Sequence, residues 1–392
     1  MDGLATGQLF TGGVETASRS ELAALQERRL LDILPRIVSR SPLLRTKWAQ
    51  AGVDPASIVS LEDYKRRAPF IDKDDIRVFR DAHDDPYGGL LCCAPEELTA
   101  VASTSGTTGD PTPYPFRWQQ GAATSPSDYW EGDMGGQSRP TLRNLHAYGI
   151  GPGDYVALFI PTFRGPSFRL FQEAGGIPIL FDHHPAELPR FVELARRLRP
   201  KLMYLLSNPL ILGFEQLERE TGLDLVDVFS SIHTVVFGGE PLSGRAKGLL
   251  ERWGVKVHEH ASLGDAGTIW ECPARAGMHA WEDHCLVEVI DHETGEEAPD
   301  GARGELVVTA LTNDTAPLVR FRSGDLVKVD RSPCACGATH VRLWPIGRAG
   351  DEVVVDGKVV LPRDVWEAVE CVPETAAGLF QIIRPDRTLT SL

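Results

Sequence analysis

The 392-residue sequence has no run of apolar residues near the ~20 needed to cross a bilayer, which excludes a membrane-spanning helix. Its first residues also lack the basic and apolar regions of a secretory signal, so we expect a cytoplasmic protein. The sequence also has no excess of positive charge. The formal net charge is −15, and this predicts that neither nucleic acid nor an anionic membrane is a partner.

Disulfide bonds are not expected in this chain. Its seven cysteines are an odd number for a large cytosolic protein, and this favours free thiols or metal ligands. The length and an apolar share of 42% allow a large core and two or more domains.

A hydroxyl- and glycine-rich segment carries the strongest chemical signal. Residues 103–112 read STSGTTGDPT. Glycines let backbone N–H groups converge on an anion, and the hydroxyls add donors, so the segment predicts a phosphate-binding loop. It differs from the Gly-x-x-x-x-Gly-Lys-Ser/Thr loop because no lysine precedes the threonine. A hydroxyl-rich surface turn is the alternative.

Further motifs follow in order along the chain. They are GGEP at 238–241, ASLGD at 261–265, GELVVT at 304–309, RFRSGDL at 320–326, GRAGD at 347–351 and GKVV at 357–360. Together with residues 103–112, they resemble the adenylate-forming (acyl-CoA synthetase) superfamily. The segments that favour its phenylacetate-CoA ligase and aryl-CoA ligase branch are PFIDKDD at 69–75, EC at 271–272, MHAWED at 278–283 and CACG at 334–337. The resemblance covers roughly residues 20–380.

The apolar pattern predicts an α/β protein. Helices are expected over 19–50 and 54–67, and strands near 155–160, 177–181, 202–206 and 232–237 with helical segments between them. From 284 the apolar period shifts towards two, which predicts a separate β-rich subdomain.

The resemblance implies a large multi-subdomain N-terminal body over residues 1–346, which includes the β-rich subdomain at about 284–346. Residues 347–392 then form a shortened C-terminal piece. Members of the superfamily carry a longer, mobile C-terminal domain, and its catalytic lysine has no counterpart in this sequence.

For the site, the resemblance implies binding of ATP and Mg²⁺. The residues that it assigns to ATP are Ser105, Gly106, Thr107, Thr108, Gly109, Gly238, Gly239, Glu240, Pro241, Asp325 and Arg348. Thr108, Asp265 and Arg348 are implied to be catalytic, and Asp265 stands where the family has a glutamate that helps bind Mg²⁺. Asp325 is implied to accept hydrogen bonds from both ribose hydroxyls. A surface ion pair is the alternative for Asp325 and Arg348.

Four residues depart from the family's pattern at positions that face ATP. Asp110 replaces a lysine, Gly350 replaces an acidic residue, and Asp356 replaces a basic one. Ala261 stands where the family has a tyrosine stacked on adenine, and losing that contact removes ~1–3 kcal/mol of binding energy. These changes predict weakened ATP binding.

A Cys3His set is a candidate zinc site. Its members are Cys272, His279, Cys334 and Cys336. Four protein ligands suit a structural Zn²⁺, which keeps no open position. By spacing alone, buried free thiols are the alternative, but related aryl-CoA ligases place a Cys-x6-His and a Cys-x-Cys at matching points. His284 is the substitute for His279, and Cys92, Cys93, Cys285 and Cys371 are expected to be ordinary thiols.

The acyl substrate is less well defined by the sequence. Phe159, Phe163, Phe168, Phe237 and Ala261 could line a flat aromatic pocket, and ordinary core is the alternative for the phenylalanines. The resemblance implies ATP-dependent activation of a small aromatic carboxylate as an acyl-adenylate, with transfer to CoA or another nucleophile.

Other acceptors and partners stay open. A carrier protein, a separate protein that supplies the missing C-terminal domain, and a homodimer are the possible protein partners. One alternative function is a catalytically weakened homologue that binds a nucleotide or an aromatic ligand. Another is an ATP-dependent enzyme that uses a non-carboxylate nucleophile, such as nitrite on an aryl amine.

Overall fold

The computed structural model describes residues 13–103, 112–117, 138–165, 167–240, 242–264, 266–291, 294–356, 358–372, 375 and 388–389. Within these ranges, no helix combines the length and the apolar character that a bilayer crossing requires.

Four α-helices begin the described chain. They are α1 (Arg19–Arg40), α2 (Pro42–Gln50), α3 (Leu61–Arg67) and α4 (Lys73–His83). Helix α1 begins at a capping box in which the side chains of Ser18 and Glu21 each accept the other's backbone N–H. The apolar faces of these helices, with Leu30 and Tyr64 fully buried, pack against the antiparallel strands described below. Short 3₁₀ helices lie at Val14–Thr16, Pro55–Ser57, Pro95–Glu97, Thr162–Arg164 and Pro185–Glu187.

Two short strands form an antiparallel pair of their own. They are β1 (Ala100–Ser103) and β2 (Pro113–Phe116). Ser103 lies opposite Pro113, so the two ends of segment 103–112 meet at one point.

Five parallel strands form the centre of the fold. They are β3 (Tyr155–Phe159), β4 (Ile177–Phe181), β5 (Leu202–Leu206), β6 (Thr234–Gly238) and β7 (Val257–Ser262), in the order β4-β3-β5-β6-β7. The helices of this region are α5 (Ser138–Ala147), α6 (Arg169–Glu173), α7 (Leu188–Leu198), α8 (Asn208–Thr221), α9 (Leu225–Phe229) and α10 (Gly244–Arg252). The predicted α/β class is confirmed, because short apolar runs become strands that helices cover on their faces.

Six antiparallel strands continue the same sheet. They are β8 (Thr268–Glu271), β9 (Met278–His279), β10 (Cys285–Ile290), β11 (Arg303–Ala310), β12 (Phe321–Asp330) and β13 (Arg342–Arg348). The order across the sheet is β10-β11-β12-β13-β9-β8-β7-β6-β5-β3-β4. The β-rich region expected as a separate subdomain therefore has no sheet of its own, because β9 pairs with both β8 and β13. Strand β13 also runs through the expected domain boundary at 346/347.

A small three-stranded sheet follows. Its strands are β14 (Val353–Val355), β15 (Lys358–Val360) and β16 (Thr388–Leu389), in the order β15-β14-β16, and helix α11 (Pro362–Glu370) lies between β15 and β16 in sequence. Strand β14 pairs antiparallel with β15 and parallel with β16.

Candidate nucleotide site and metal centre

Several predicted site residues lie where the parallel strands end. Gly238 is the last residue of β6 and pairs in register with His260 of β7, which directly precedes Ala261. Open α/β sheets bind ligands at this carboxyl edge of their strands. The predicted residues Ser105, Gly106, Thr107, Thr108, Gly109, Pro241 and Asp265, and the departure Asp110, lie outside the described residues.

Strands β1 and β2, which flank the predicted phosphate-binding segment, pack against the chain that follows β3. Gly165, which follows β3, has a φ of +59° and packs against β1. A Cβ on Gly165 would lie 3.2 Å from the Cβ of Ala102. Ser103 and Pro113, which flank residues 104–112, are paired, so both lie on the β1–β2 ladder that Gly165 contacts.

Glycines are required at the turn after β6. A Cβ on Gly238 would lie 2.6 Å from both Nδ1 and the carbonyl oxygen of His260, so a larger residue does not fit. Gly239 has a φ of +94°, which favours glycine. Glu240 then turns towards helix α8, and its Oε1 accepts the backbone N–H of Asn208 at 2.5 Å. Burial raises the pKa of Glu240, so this carboxyl group takes up a proton more readily than an exposed one.

Asp325 stands on a bulge of β12. In the ladder between β11 and β12, residues 323–325 lie opposite Leu306 alone. A bulge interrupts the regular alternation of a strand and redirects its side chains. Gly324 has a φ of +74°, which a residue with a Cβ rarely adopts. Glycine at position 324 therefore allows the bulge to form.

Side chains of both strands hold this bulge. The Ser323 hydroxyl donates to the carbonyl of Leu306 at 2.9 Å and accepts the backbone N–H of Asp325 at 3.0 Å. The buried Glu305 accepts the backbone N–H of Gly324 through Oε1 at 3.2 Å. The conformation that presents Asp325 is thus fixed by side chains that precede it.

Arg348 lies directly opposite Asp325 at the end of β13. The distance from Nε of Arg348 to Oδ1 of Asp325 is 3.5 Å, and the arginine side chain is 55% exposed. The backbone N–H of Ala349 donates to the carbonyl of Gly324 at 2.8 Å. Two predicted ATP-binding residues are therefore neighbours, and they form the ion pair that the sequence left as an alternative.

The bulge also contacts two other motifs. A Cβ on Gly264, the residue before Asp265, would lie 2.8 Å from the Cβ of Ser323. On another side, the backbone N–H of Arg322 donates to the carbonyl of Ile71 at 2.8 Å. Motifs that are far apart in sequence, at 69–75, 261–265, 304–309, 320–326 and 347–351, thus meet around Asp325.

The aromatic residues expected at the substrate pocket divide into two groups. Phe159 and Phe237 are fully buried, and Phe159 stacks on Phe181 with 4.9 Å between ring centroids. Both belong to the core between the parallel strands and helices α7–α10, where packing rather than a ligand explains them. Phe168 and Ala261 are half-buried, while the side chain of Phe163 lies outside the described residues.

A polar pair at the same edge was not expected from the sequence. The hydroxyl of Tyr204 and Nε2 of His260 are 3.3 Å apart, and the Tyr204 ring stacks on Trp270 with 5.3 Å between centroids. Burial, assisted by the charge of Arg164, lowers the pKa of His260 to about 3. His260 is therefore a neutral hydrogen-bonding group at physiological pH. Only its position beside Ala261 could have indicated it.

The four predicted metal ligands lie together. The ligand atoms of Cys272, His279, Cys334 and Cys336 all lie within 4.8 Å of one another. Cys272 follows β8, His279 ends β9, and the other two cysteines lie in the turn between β12 and β13. The hydrogen bond with Cys336 lowers the pKa of the Cys272 thiol despite its burial, so a thiolate is favoured there.

The orientation of His279 suits a metal ligand. Its Nδ1 donates to the carbonyl of His340 at 3.1 Å, and its Nε2 points at Sγ of Cys336, 3.5 Å away. A carbonyl partner on one ring nitrogen fixes the tautomer that leaves the other nitrogen free to bind a metal. For His284, the substitute ligand, Nδ1 lies 3.2 Å from the hydroxyl oxygen of Thr312 instead.

Buried charges surround the cluster. Arg143 donates to both carboxylate oxygens of Asp283 at 2.8 Å, and both side chains are almost fully buried. The neighbouring Glu282 binds Arg19 of helix α1 at 2.5 and 2.7 Å. The Arg143 pair attaches helix α5, and the Arg19 pair attaches helix α1, to the segment between β9 and β10.

Comparisons with known proteins agree with this arrangement. A phenylacetate-coenzyme A ligase of Thermus thermophilus is 32% identical over 391 residues, which cover 97% of this chain and 82% of that protein. A phenylacetate-coenzyme A ligase of Escherichia coli is 28% identical over 366 residues, which cover 91% of this chain and 78% of that protein. No family profile matches the chain.

Solved structures show the same fold. A 2-hydroxyisobutyryl-CoA ligase in its postadenylation state matches with a TM-score of 0.77 and 24% identity, covering 92% of this chain and 74% of its own. The same kind of ligase, in complex with 2-HIB-AMP and CoA in the thioesterification state, matches with a TM-score of 0.74 and 25% identity. That match covers 92% of this chain and 75% of the other.

Proposed function

This chain belongs to the phenylacetate-coenzyme A ligase family, and we propose that it activates an aromatic carboxylic acid with ATP and passes the acyl group to CoA. The first step forms the bond between the carboxylate and the α-phosphorus of ATP, and pyrophosphate leaves. The second step replaces AMP by the CoA thiol. Phenylacetate-coenzyme A ligases at 32% and 28% identity support this reaction class.

The meeting of motifs around Asp325 carries the proposal. Two carboxylate oxygens suit the two hydroxyls of a ribose, and Arg348 lies beside them to contact the ribose or a phosphate. The 261–265 motif packs against the same bulge through Gly264. We propose that ATP lies along this edge, with its phosphates at residues 105–109 and its adenine against residues 238–241.

Mg²⁺ belongs to the proposed reaction, with Asp265 as its carboxylate ligand. A hard cation prefers oxygen ligands and neutralises the charge of the triphosphate. Thr108 and Arg348 are the other residues that we assign to the adenylation step. Asp110, Gly350 and Asp356 stand where a lysine, an acidic residue and a basic residue are expected, so we propose weak ATP binding.

We place the aromatic acid at the carboxyl ends of β5–β7. Tyr204, His260 and Ala261 are half-buried residues of these strands, and the half-buried Phe168 packs against the same core cluster as Tyr204. A flat ring packs well against aromatic side chains, and a neutral Tyr–His pair can bind a polar ring substituent. This supports a hydroxy- or amino-substituted benzoic acid as the substrate.

The Cys3His cluster is proposed to hold a structural Zn²⁺. The residues present fit this ion, since four N and S ligand atoms lie within 4.8 Å and the orientation of His279 is fixed by His340. Cys272, His279, Cys334 and Cys336 would supply all four positions, so the ion would hold strands β8, β9 and the β12–β13 turn together and take no part in catalysis.

For the domain organisation, we propose that the body extends over 1–346 and that residues 347–392 form the C-terminal piece. Strand β13 ends at Arg348, and Gly350 adopts a φ of +90° directly after it. Backbone freedom at this point supports a hinge there. CoA is the proposed acyl acceptor, and a carrier protein is the alternative acceptor. A separate protein that supplies a C-terminal domain and a homodimer are further proposals to be tested.

Pyrophosphate release tests the proposal. The purified protein is mixed with Mg-ATP and a panel of benzoic, phenylacetic, hydroxybenzoic and aminobenzoic acids, with and without CoA. Release that depends on one acid supports adenylation, and an acyl-CoA in the mass spectrum supports CoA as the acceptor. Asp325→Ala, which lacks the proposed ribose ligand, is the matched control variant in this assay. If folded protein releases no pyrophosphate with any acid, the proposed function is wrong and a weakened nucleotide-binding homologue replaces it.

A further inference from the structure

The position of Asp325 depends on an irregular stretch of backbone. On the β13 side Asp325 pairs with Arg348, but on the β11 side residues 323–325 lie opposite Leu306 alone, outside the regular ladder. Gly324 adopts a left-handed conformation there, with a φ of +74°. On the β11 side, side chains replace the ladder bonds in holding this stretch.

Glu305 is the charged group among those side chains. It lies on β11, one residue before Leu306, and it is 5% exposed. Its Oε1 accepts the N–H of Gly324 at 3.2 Å, and its Oε2 accepts Nε of Arg322 at 2.8 Å and also Nη2 of the same guanidinium. One buried carboxylate thus binds residues on both sides of Ser323.

A buried carboxylate is costly unless its oxygens are paired, so its presence in this sheet calls for a reason. An apolar residue at 305 would pair with Leu326 equally well in the ladder. It could not hold the N–H of Gly324, which directly precedes Asp325. The carboxylate therefore fixes the bulge in a way that an apolar strand residue cannot.

We propose that Glu305 is a positioning residue for the nucleotide: it aims the Asp325 carboxylate at the ribose hydroxyls by holding the 322–324 backbone. This inference rests on the proposed function, since it assumes that Asp325 binds a ribose. Glu305 touches neither the nucleotide nor the reacting atoms in this scheme. Its effect is confined to the strength of the hydrogen bonds between Asp325 and the two ribose hydroxyls.

The test compares two nucleotides that differ only in those hydroxyls. Dissociation constants for Mg-ATP and Mg-2′,3′-dideoxy-ATP are measured by titration calorimetry on the full chain. The wild type is expected to bind ATP at least about tenfold more tightly, because hydrogen bonds to a charged group are strong. Glu305→Gln replaces one acceptor oxygen by an NH2 group, so the side chain can no longer bind Gly324 and Arg322 together. The variant is therefore expected to reduce this ratio severalfold, towards the ratio of Asp325→Ala.

Glu288→Gln is the matched control. Glu288 lies on the neighbouring strand β10, is 2% exposed, and pairs with Arg320 instead of the bulge. Glu288→Gln removes a buried carboxylate from the same sheet as Glu305→Gln does, so a general loss of packing would affect both variants. The ATP to dideoxy-ATP ratio of Glu288→Gln is expected to equal that of the wild type.

A second variant keeps the inference testable if Glu305→Gln fails to fold. Ser323→Ala removes the hydroxyl that accepts the N–H of Asp325, and we expect it to fold because it removes one neutral hydroxyl and no charge. Its ratio is also expected to fall. A wild-type ratio in Glu305→Gln, or in Ser323→Ala when it alone folds, overturns the inference while leaving the proposed function intact. A wild type that does not discriminate the two nucleotides overturns the ribose assignment of Asp325 and the inference with it.

Discussion

Asp325 and Arg348 face each other across strands β12 and β13, with 3.5 Å between Oδ1 and Nε. The aspartate side chain is 26% exposed and the arginine side chain 55%. An ion pair this close to solvent contributes at most about 1 kcal/mol to the free energy of unfolding. The pair is therefore dispensable for folding, and a ligand can take its place.

Asp325→Ala should weaken ATP binding about tenfold or more, because the ribose hydroxyls lose a charged acceptor. The melting temperature should change by less than about 3 °C, since the pair with Arg348 lies close to solvent. Titration calorimetry and thermal melting measure the two effects. Asp330→Ala is the control: it lies on the same strand, pairs with Arg342 and is similarly exposed at 29%. If both variants bind ATP like the wild type, Asp325 is not a nucleotide residue.

Cys336→Ser should release the bound metal and lower the melting temperature by roughly 5 °C or more, because a structural metal stabilises the fold that binds it. Metal content by mass spectrometry is expected to fall from about one zinc per chain to much less. Cys371→Ser, at an exposed cysteine outside the cluster, should change neither value. Wild-type protein that is purified without chelators and carries no metal would contradict the prediction.

Arg143→Met should lower the free energy of unfolding by roughly 3–5 kcal/mol, because the buried carboxylate of Asp283 loses the guanidinium that donates to both of its oxygens. Urea denaturation measures this. Arg36→Met breaks the exposed Asp32–Arg36 pair of helix α1 and should cost less than about 1 kcal/mol. Equal losses in the two variants would show that the burial of the Arg143 pair has no energetic consequence.

Acid should weaken the same contact. Burial by itself raises the pKa of Asp283, but the hydrogen bonds and charge of Arg143, with nearby histidines, outweigh it and hold the pKa well below its ordinary value. The unfolded chain then binds a proton at a higher pH than the folded chain does. The contribution of Asp283 is therefore complete above about pH 5 and is lost progressively as the pH falls below that value.

Comparison with Asp283→Asn isolates this effect, because asparagine cannot titrate. Urea melts at several pH values between 3 and 6 should show the wild type more stable than Asp283→Asn at the upper end. The difference should shrink as the pH falls. A constant difference over that range would rule out Asp283 as the titrating group.

Tyr204→Phe should reduce discrimination between a substituted and an unsubstituted benzoic acid about tenfold, because a polar substituent loses one neutral hydrogen-bonding partner. The ratio of kcat/KM for the hydroxy- or aminobenzoate to that for benzoate measures it. Tyr155→Phe, at the opposite end of the parallel strands, should leave the ratio unchanged. If Tyr204→Phe lowers both kcat/KM values equally, Tyr204 has only a packing role.

The parallel half of the fold could be predicted from sequence. The apolar runs at 177–181 and 202–206 match β4 and β5, and the runs near 155–160 and 232–237 match β3 and β6 within two residues. Strands buried on both faces are short apolar runs, and the glycines and prolines beside them mark their ends. The Cys3His set could also be recognised in the sequence, because cysteine and histidine can bind a metal from any secondary structure.

The continuity of the sheet could not be predicted. Strand β9 has two residues, too few for any periodicity, yet it joins the parallel and antiparallel halves. Glu305 and Tyr204 were missed for a related reason. The contacts of Glu305 exist only because β12 bulges, and the partner of Tyr204 lies 56 residues away in sequence, so local pattern indicates neither.

The pairing of helix α1 with distant strands has a consequence for how the chain folds as it is made. Gln26 donates to the carbonyls of Glu282 and Cys285, and Leu30 and Leu34 share their core with Val289 and Leu306. Helix α1 therefore finds these burial partners only after residues 282–306 have been synthesised. Until then its apolar face is exposed to other molecules. The docking of helix α1 on these strands is a slow, long-range folding step. Chaperones can bind the exposed apolar face of the nascent chain until that step is complete.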